Sequence, residues 1–275
     1  MKPPAHSGRR SDLLACWLAL ALCACSPVFA AESAAVTAAH IAKKLDPSDF
    51  RSRFELRNRL QEPQTGGLRN TLVPRMEFAF SKRLVMRIET PAMVYDAARP
   101  DFATQGGMGD LLVRANVRLF RTAHTALVAG YEFNFDTASE KFLGTGHHAG
   151  GPLIFISIDE PRLHTTFFPL FQHMQSFAGD PSRKEVNYTM TRMFALTRWP
   201  DRFYSATELS IYFDHVRNKE GATLELEGGR FINSHVALWA RPGFGNWGDN
   251  LPQVYNWNIE FGMRYLFDCR TADGR

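Results

Sequence analysis

From Ser52 onward, apolar and polar side chains alternate with period two, which places consecutive side chains on opposite faces of an extended strand. The last segment shows this best. Tyr255, Trp257, Ile259, Phe261, Met263, Tyr265 and Phe267 are apolar or aromatic, while the interleaved Asn256, Asn258, Glu260, Gly262 and Arg264 are polar or small. Leu111 to Leu119 repeats the pattern around Arg114, Asn116 and Arg118, and Leu127 to Phe135 repeats it around Glu132 and Asn134. Twelve such segments centre on residues 52–60, 71–81, 84–95, 110–120, 125–136, 152–159, 163–175, 186–198, 203–214, 222–230, 235–244 and 254–267.

Alternation alone also fits a soluble sandwich with one wet face, so the links decide. Short links at 81–83, 121–124, 159–162 and 199–202 take turns with longer ones at 61–70, 96–109, 137–151, 176–185, 215–221 and 245–253. Short turns on one side and long loops on the other predict an all-β fold, a transmembrane antiparallel β-barrel of about twelve strands. Tyr255 and Trp257 stand ten residues before Tyr265 and Phe267. At roughly 3.3 Å per residue and a tilt of about 40°, the two pairs lie roughly 25 Å apart along the membrane normal. All four are therefore expected in lipid-facing aromatic girdles. Two segments fit less cleanly. Thr165 to Met174 does not alternate well, and Arg192 shares a parity with Tyr188, Met190, Phe194 and Leu196, which places Arg192 near a rim or shifts the register there by one.

Composition narrows the class further. The chain has 275 residues, 45% hydrophobic, 22% charged and 12% aromatic, with 20 Gly and 15 Pro, which excludes a disordered or collagen-like chain. Beyond the N-terminal region no apolar run approaches the roughly 20 residues of a spanning helix. Residues 1–30 read as an export signal: Lys2, Arg9 and Arg10 precede an apolar run from Leu13 to Ala24, and Val28-Phe29-Ala30 is a small-x-small cleavage site. Leu22-Cys23-Ala24-Cys25 also resembles a bacterial lipobox, which would make Cys25 a lipidated N-terminus. Removing residues 1–30 takes away Lys2, Arg9, Arg10 and Asp12, a net of +2, so the formal charge falls from +4 to +2 and no nucleic-acid signature remains. Three of the four cysteines go with the signal, leaving Cys269 alone and no disulfide within the mature chain. The expected organisation is a signal at 1–30, a periplasmic segment at 31–51 with a short helix over 33–45 that plugs the mouth or trails as a leader, a barrel at 52–267 and a tail at 268–275.

Candidate chemistry is sparse. Gly106, Gly107 and Gly109 read as positions of positive φ where a loop enters a strand, with Asp110 bonding local N–H groups. The adjacent His147 and His148 lack the spacing that puts two metal ligands on one face. A barrel lipase needs a His-x-Ser pair on one strand, but His173 and Ser176 are three apart and point to opposite faces unless a bulge intervenes. No catalytic, cofactor or metal residue is assigned.

Several segments resemble the outer-membrane barrel family named for the MetA pathway of phenol degradation. The matching stretches are FELRNRLQEP at 54–63, GMGDLL at 107–112, YEFNFDTAS and LGTGHHAGGP within 131–152, QSFAGDPSR with VN within 175–187, and WNIEFGMRYLF at 257–267. The chain departs from the family in Asp136, where a Pro is expected, and in the eight residues after Phe267. The resemblance implies a barrel in the outer membrane of a Gram-negative bacterium, surrounded by lipid, that passes small hydrophobic or aromatic compounds. Inward polar positions would include Arg57, Glu77, Arg87, Glu89, Arg114, Arg118, Glu132, Glu260 and Arg264. With Arg59, Arg75 and Arg241 against Glu55, Glu208, Asp214, Glu225 and Glu227, the lumen holds eight positive and nine negative groups, a near balance that argues against strong ion selectivity. Such charges pair across strands and narrow the lumen, so an apolar compound would leave sideways into the bilayer. A lipolytic barrel and a purely structural barrel are the alternatives.

Overall fold

The computed structural model describes residues 44–99, 101–248 and 251–267. Its strand segments are β1 (Arg53–Pro63), β2 (Leu68–Ala79), β3 (Leu84–Glu89), β4 (Ala92–Asp96), β5 (Gln105–Met108), β6 (Leu111–Arg121), β7 (Thr125–Phe135), β8 (His147–Glu160), β9 (Thr165–Gly179), β10 (Asn187–Arg198), β11 (Phe203–Asp214), β12 (Lys219–Phe231), β13 (Val236–Trp247) and β14 (Tyr255–Leu266). β3 and β4 both pair with β2, β3 pairs with β6 and β4 with β5, so these four segments form two interrupted strands. Pro91, which has no N–H to give a ladder, sits at the first interruption. The fourteen segments thus make twelve strands. β1 pairs with β2 on one side and β14 on the other, which closes an antiparallel barrel with no free edge, as lipid demands. The all-β barrel expected from the alternation is the observed fold.

Turns at 80–83, 122–124, 161–164, 199–202 and 232–235 share one rim with the start of β1 and the end of β14. By the usual layout that rim is periplasmic and the other, with its longer loops, is outer. Two links expected to be long, 61–70 and 215–221, are the tight turns 64–67 and 215–218, because β1, β2 and β12 run on past their alternating stretches.

The period-two rule sorts the faces. Leu119, Phe171 and Phe261 are about half exposed on the outside, whereas Glu55, Val128 and Glu260 are shut away inside. Arg192 faces inward at mid-strand, bonded to Glu208 at 3.0 Å, so the rim placement is wrong and the shifted register is right. Tyr255 corrects the girdle expectation. Pro63 pairs with Tyr255 but Glu62 with Trp257, so Asn256 is an extra residue, and this bulge turns Tyr255 into the lumen, where its hydroxyl donates to Glu225 at 2.7 Å. Trp257 stays on the outer parity and donates from Nε1 to Glu62 at 2.6 Å, while Tyr265 stacks on His235 and meets Phe267 edge-on.

Residues 44–50 fold into the periplasmic mouth. Leu45 packs among Phe155, Phe168, Leu196, Trp239 and Leu266. Lys44 donates to the Ser234 carbonyl at 3.1 Å, Arg118 donates to the Ser48 carbonyl at 3.0 Å and lies over Phe50, and Arg121 pairs with Asp49 at 3.2 Å. The export signal, Cys25, Cys269, residues 268–275 and residues 33–43 of the expected helix lie outside the described residues; the described Lys44 and Leu45 form a turn.

Candidate functional site

The lumen holds a cavity of about 480 Å³, floored by Leu45 and Pro47 and reaching Pro252 and Gln253 at the outer end. Its two long walls differ. One wall, on β1–β3 and β11–β14, is built from arginine and glutamate. Glu77 accepts from Arg53 and Arg87 at 2.7 Å each, Glu89 from Arg75 at 2.7 Å and from Arg57 at 2.9 Å, and Glu55 faces Arg75 at 3.0 Å. Arg264 then links Glu55 to Glu227, Arg241 links Glu227 to Glu225 at 3.1 Å, and Glu208 joins Arg192 at 3.0 Å. Arg59 pairs with Glu260. On the next strand Arg114 of β6, directly opposite Arg87, pairs with Glu132 on β7, which also accepts from Gln172 at 3.0 Å. Alternation delivers this belt because inward positions on neighbouring strands stand directly opposite, within reach of long side chains.

Trp239 ends the belt on the floor side. Its ring lies under both Arg241 and Arg264, 5.2 and 4.9 Å from centroid to guanidinium. Gly262 opposite it has no room for a side chain, since a Cβ there would come within 2.3 Å of the indole.

The facing wall, on β8–β10, is largely apolar: Phe155, Phe168, Leu170, Met190, Phe194 and Leu196 line the cavity, and Gln172, Tyr188 and Arg192 interrupt them. The β8–β9 seam in this wall is interrupted twice. No pairing is made between Phe155↔Leu170 and Ile158↔Phe167, nor between Gly150↔Gln175 and Leu153↔Gln172, and these gaps hold Pro169 and Pro152 respectively. Outside the first gap lies a groove of about 420 Å³ lined by Ile154, Ile156, Phe171 and Met193. Phe155 and Leu170 border both the groove and the lumen.

Of the expected inward residues, Arg57, Glu77, Arg87, Glu89, Arg114, Glu132 and Arg264 border the cavity; Glu260 is buried behind Arg59, and Arg118 holds the floor segment. Arg53, Arg69 and Arg192 also border the cavity, and Asp214 instead holds Arg217 at the outer rim. Arg53 and Arg69 sit on the parity already read as inward, two residues before Glu55 and six before Arg75, so their signal was present in the alternation.

The loop motifs are structural. None of Gly106, Gly107 and Gly109 has positive φ, contrary to expectation; Gly107 is needed because Ser139 Oγ comes within 2.0 Å of where a Cβ would be. Asp110 accepts from Thr145 N at 2.7 Å and Ala138 N at 3.3 Å, tying down the loop 136–146. His148 accepts from Asp136 N at 3.2 Å and His147 meets the Arg183 carbonyl at 3.3 Å. His173 pairs with Thr189 at 3.0 Å, and Ser176 Oγ accepts from Val186 N at 3.2 Å.

A closed barrel of twelve antiparallel strands with polar side chains inside and apolar ones outside is a porin-like barrel of the outer-membrane type. No family model and no curated protein matches the chain. Among solved structures it is similar to an outer-membrane channel from Pseudomonas putida F1, with 11% identity, a TM-score of 0.65, and 81% of this chain and 100% of that one covered. The NanC porin matches with 9% identity, a TM-score of 0.56 and 78% and 100% covered, and the KdgM porin with 10% identity, a TM-score of 0.55 and 78% and 99% covered. KdgM is also known in complex with disordered oligogalacturonate. These likenesses establish the fold.

Proposed function

We propose that the chain is a passive channel in the outer membrane of a Gram-negative bacterium, taking up small hydrophobic or aromatic compounds as the MetA-pathway resemblance implies. The carrying observation is the two-sided cavity of about 480 Å³, which offers an apolar wall to a compound's body beside a belt of fixed charge. The barrel's likeness to the KdgM porin, which holds an oligogalacturonate, supports a channel role for this architecture. Uptake of N-phenylnaphthylamine, which brightens on entering lipid, tests the reading in cells with an intact outer membrane. Cells carrying the protein are expected to fill several-fold faster than cells lacking it, and equal rates contradict the proposal.

A second reading concerns the exit. The floor at 44–50 narrows the straight path, while the interrupted β8–β9 seam has apolar side chains on both sides. In this reading the compound leaves sideways past Pro169. A disulfide between Ile156→Cys and Pro169→Cys, made in a Cys269→Ser background, is expected to slow dye uptake and a reductant to restore it; unchanged uptake in the cross-linked protein rejects the sideways path.

A further inference from the structure

We infer that the outer end of the lumen holds an anion site at Arg69 that takes small carboxylates, aryl carboxylates in particular. Two independent observations place it there. The first is charge: ten arginines border the cavity against seven glutamates, and adding the buried Glu260 still leaves ten to eight. The near balance expected from the sequence therefore becomes a positive excess, and a low-dielectric wall focuses that excess into the cavity.

The second is Arg69 itself. It stands between Gln61 of β1 and Tyr95 of β4 and borders the cavity. Its neighbours in the belt are each matched to a carboxylate, but among the described residues Arg69 has no ion pair and its Nε is buried without a hydrogen-bond partner. Its guanidinium rests over the Tyr95 ring at 5.2 Å. Arg69 is half-buried and its charge is uncompensated, which is costly, and a carboxylate that accepts two of its N–H groups removes that cost.

The approach to Arg69 is aromatic. Phe142 in the outer loop meets Phe102 edge-on at 4.8 Å, and Phe102 meets Tyr95 at 6.0 Å, so a line of three rings runs from the loops to the guanidinium. A flat ring with a carboxylate at one edge fits that line: the ring slides along aromatic faces and edges, and the charge ends on Arg69. The inference rests on the channel reading for how a ligand arrives, though not for whether it binds.

Calorimetric titration of sodium benzoate into the refolded full chain in neutral detergent tests the site, with benzyl alcohol and benzylammonium as probes carrying the same ring. Benzoate is expected to bind at least about tenfold more tightly than either, and Arg69→Gln to remove that margin while Arg69→Lys keeps part of it. Equal binding of the three probes overturns the site, as does a margin unchanged in Arg69→Gln. The wild-type reversal potential in a sodium chloride gradient needs no variant: anion preference is expected, and cation preference overturns the inference. A chain that binds benzoate but neither passes current nor speeds dye uptake keeps the site and removes the channel reading. One that conducts without preferring benzoate does the reverse.

Discussion

The two walls of the lumen are built from different forces. On β1–β3 and β11–β14 most of the cavity-lining positions are charged, and most of the carboxylates are shared by two or more arginines; Glu55 alone faces Arg57, Arg75 and Arg264. On β8–β10 most of the cavity-lining positions are Phe, Leu and Met, with Gln172, Tyr188 and Arg192 set among them, and the apolar ones join the buried cluster around Leu45. The charged wall is held by geometry, since no member can be removed without stranding its partners, whereas the apolar wall is held by contact area. A channel with one wall of each kind can accept a molecule with one face of each kind.

Breaking the charged wall is expected to have the largest effect. Arg264→Ala leaves Glu55 and Glu227 facing each other in a buried site and takes the Nη1 donor from Tyr204 Oη, so it should cost about 3–5 kcal/mol, read as a lower urea midpoint for loss of the heat-modifiable gel band. The same substitution on the apolar wall should cost less. Phe168→Ala removes a ring that is 3% exposed and packed on Phe194, and because the hole opens toward the lumen the loss should be about 3 kcal/mol. Equal costs would mean that the belt behaves as ordinary packing.

The smallest effect sharpens the floor. Burial pushes the Asp46 carboxyl up from its ordinary value, although hydrogen bonds from Ser48 pull it down. A docked carboxyl that holds its proton more tightly than a free one makes docking proton-linked: the floor is favoured at low pH and weakened as pH rises from about 3.8 through the raised value. Open-channel events should therefore be rarer at pH 4 than at pH 7, and Asp46→Asn should show the acid behaviour at both. A pH-independent wild type would remove this link.

The sequence revealed the charged wall more readily than the apolar one for a physical reason. Where inward residues are Arg and Glu and outward ones apolar, as in β14, period two is visible and sets both the strand and its faces. Where inward residues are also apolar, as in β9 with Phe168 and Leu170 inside and Phe167 and Phe171 outside, the alternation disappears although the strand is regular. On β10 it inverts, because Asn187, Thr189, Thr191 and Thr197 are outward while Tyr188, Met190, Phe194 and Leu196 are inward. Tyr255 was misplaced because a bulge shifts parity by one, and nothing in a string of alternating residues marks which one is extra. Arg69 lay on a readable parity, but its lack of a partner depends on the register of three strands. The role of 44–50 was equally hidden, since Leu45 finds its neighbours on strands more than a hundred residues away.

The most direct test of the account is the single-channel current of the refolded chain compared with that of Leu45→Asp, which puts a charge into the apolar seat of the floor. The account predicts small discrete steps for the wild type and larger, longer-lived ones for the variant, with both proteins showing the heat-modifiable band of a folded barrel. A folded variant that passes no more current than the wild type would contradict it.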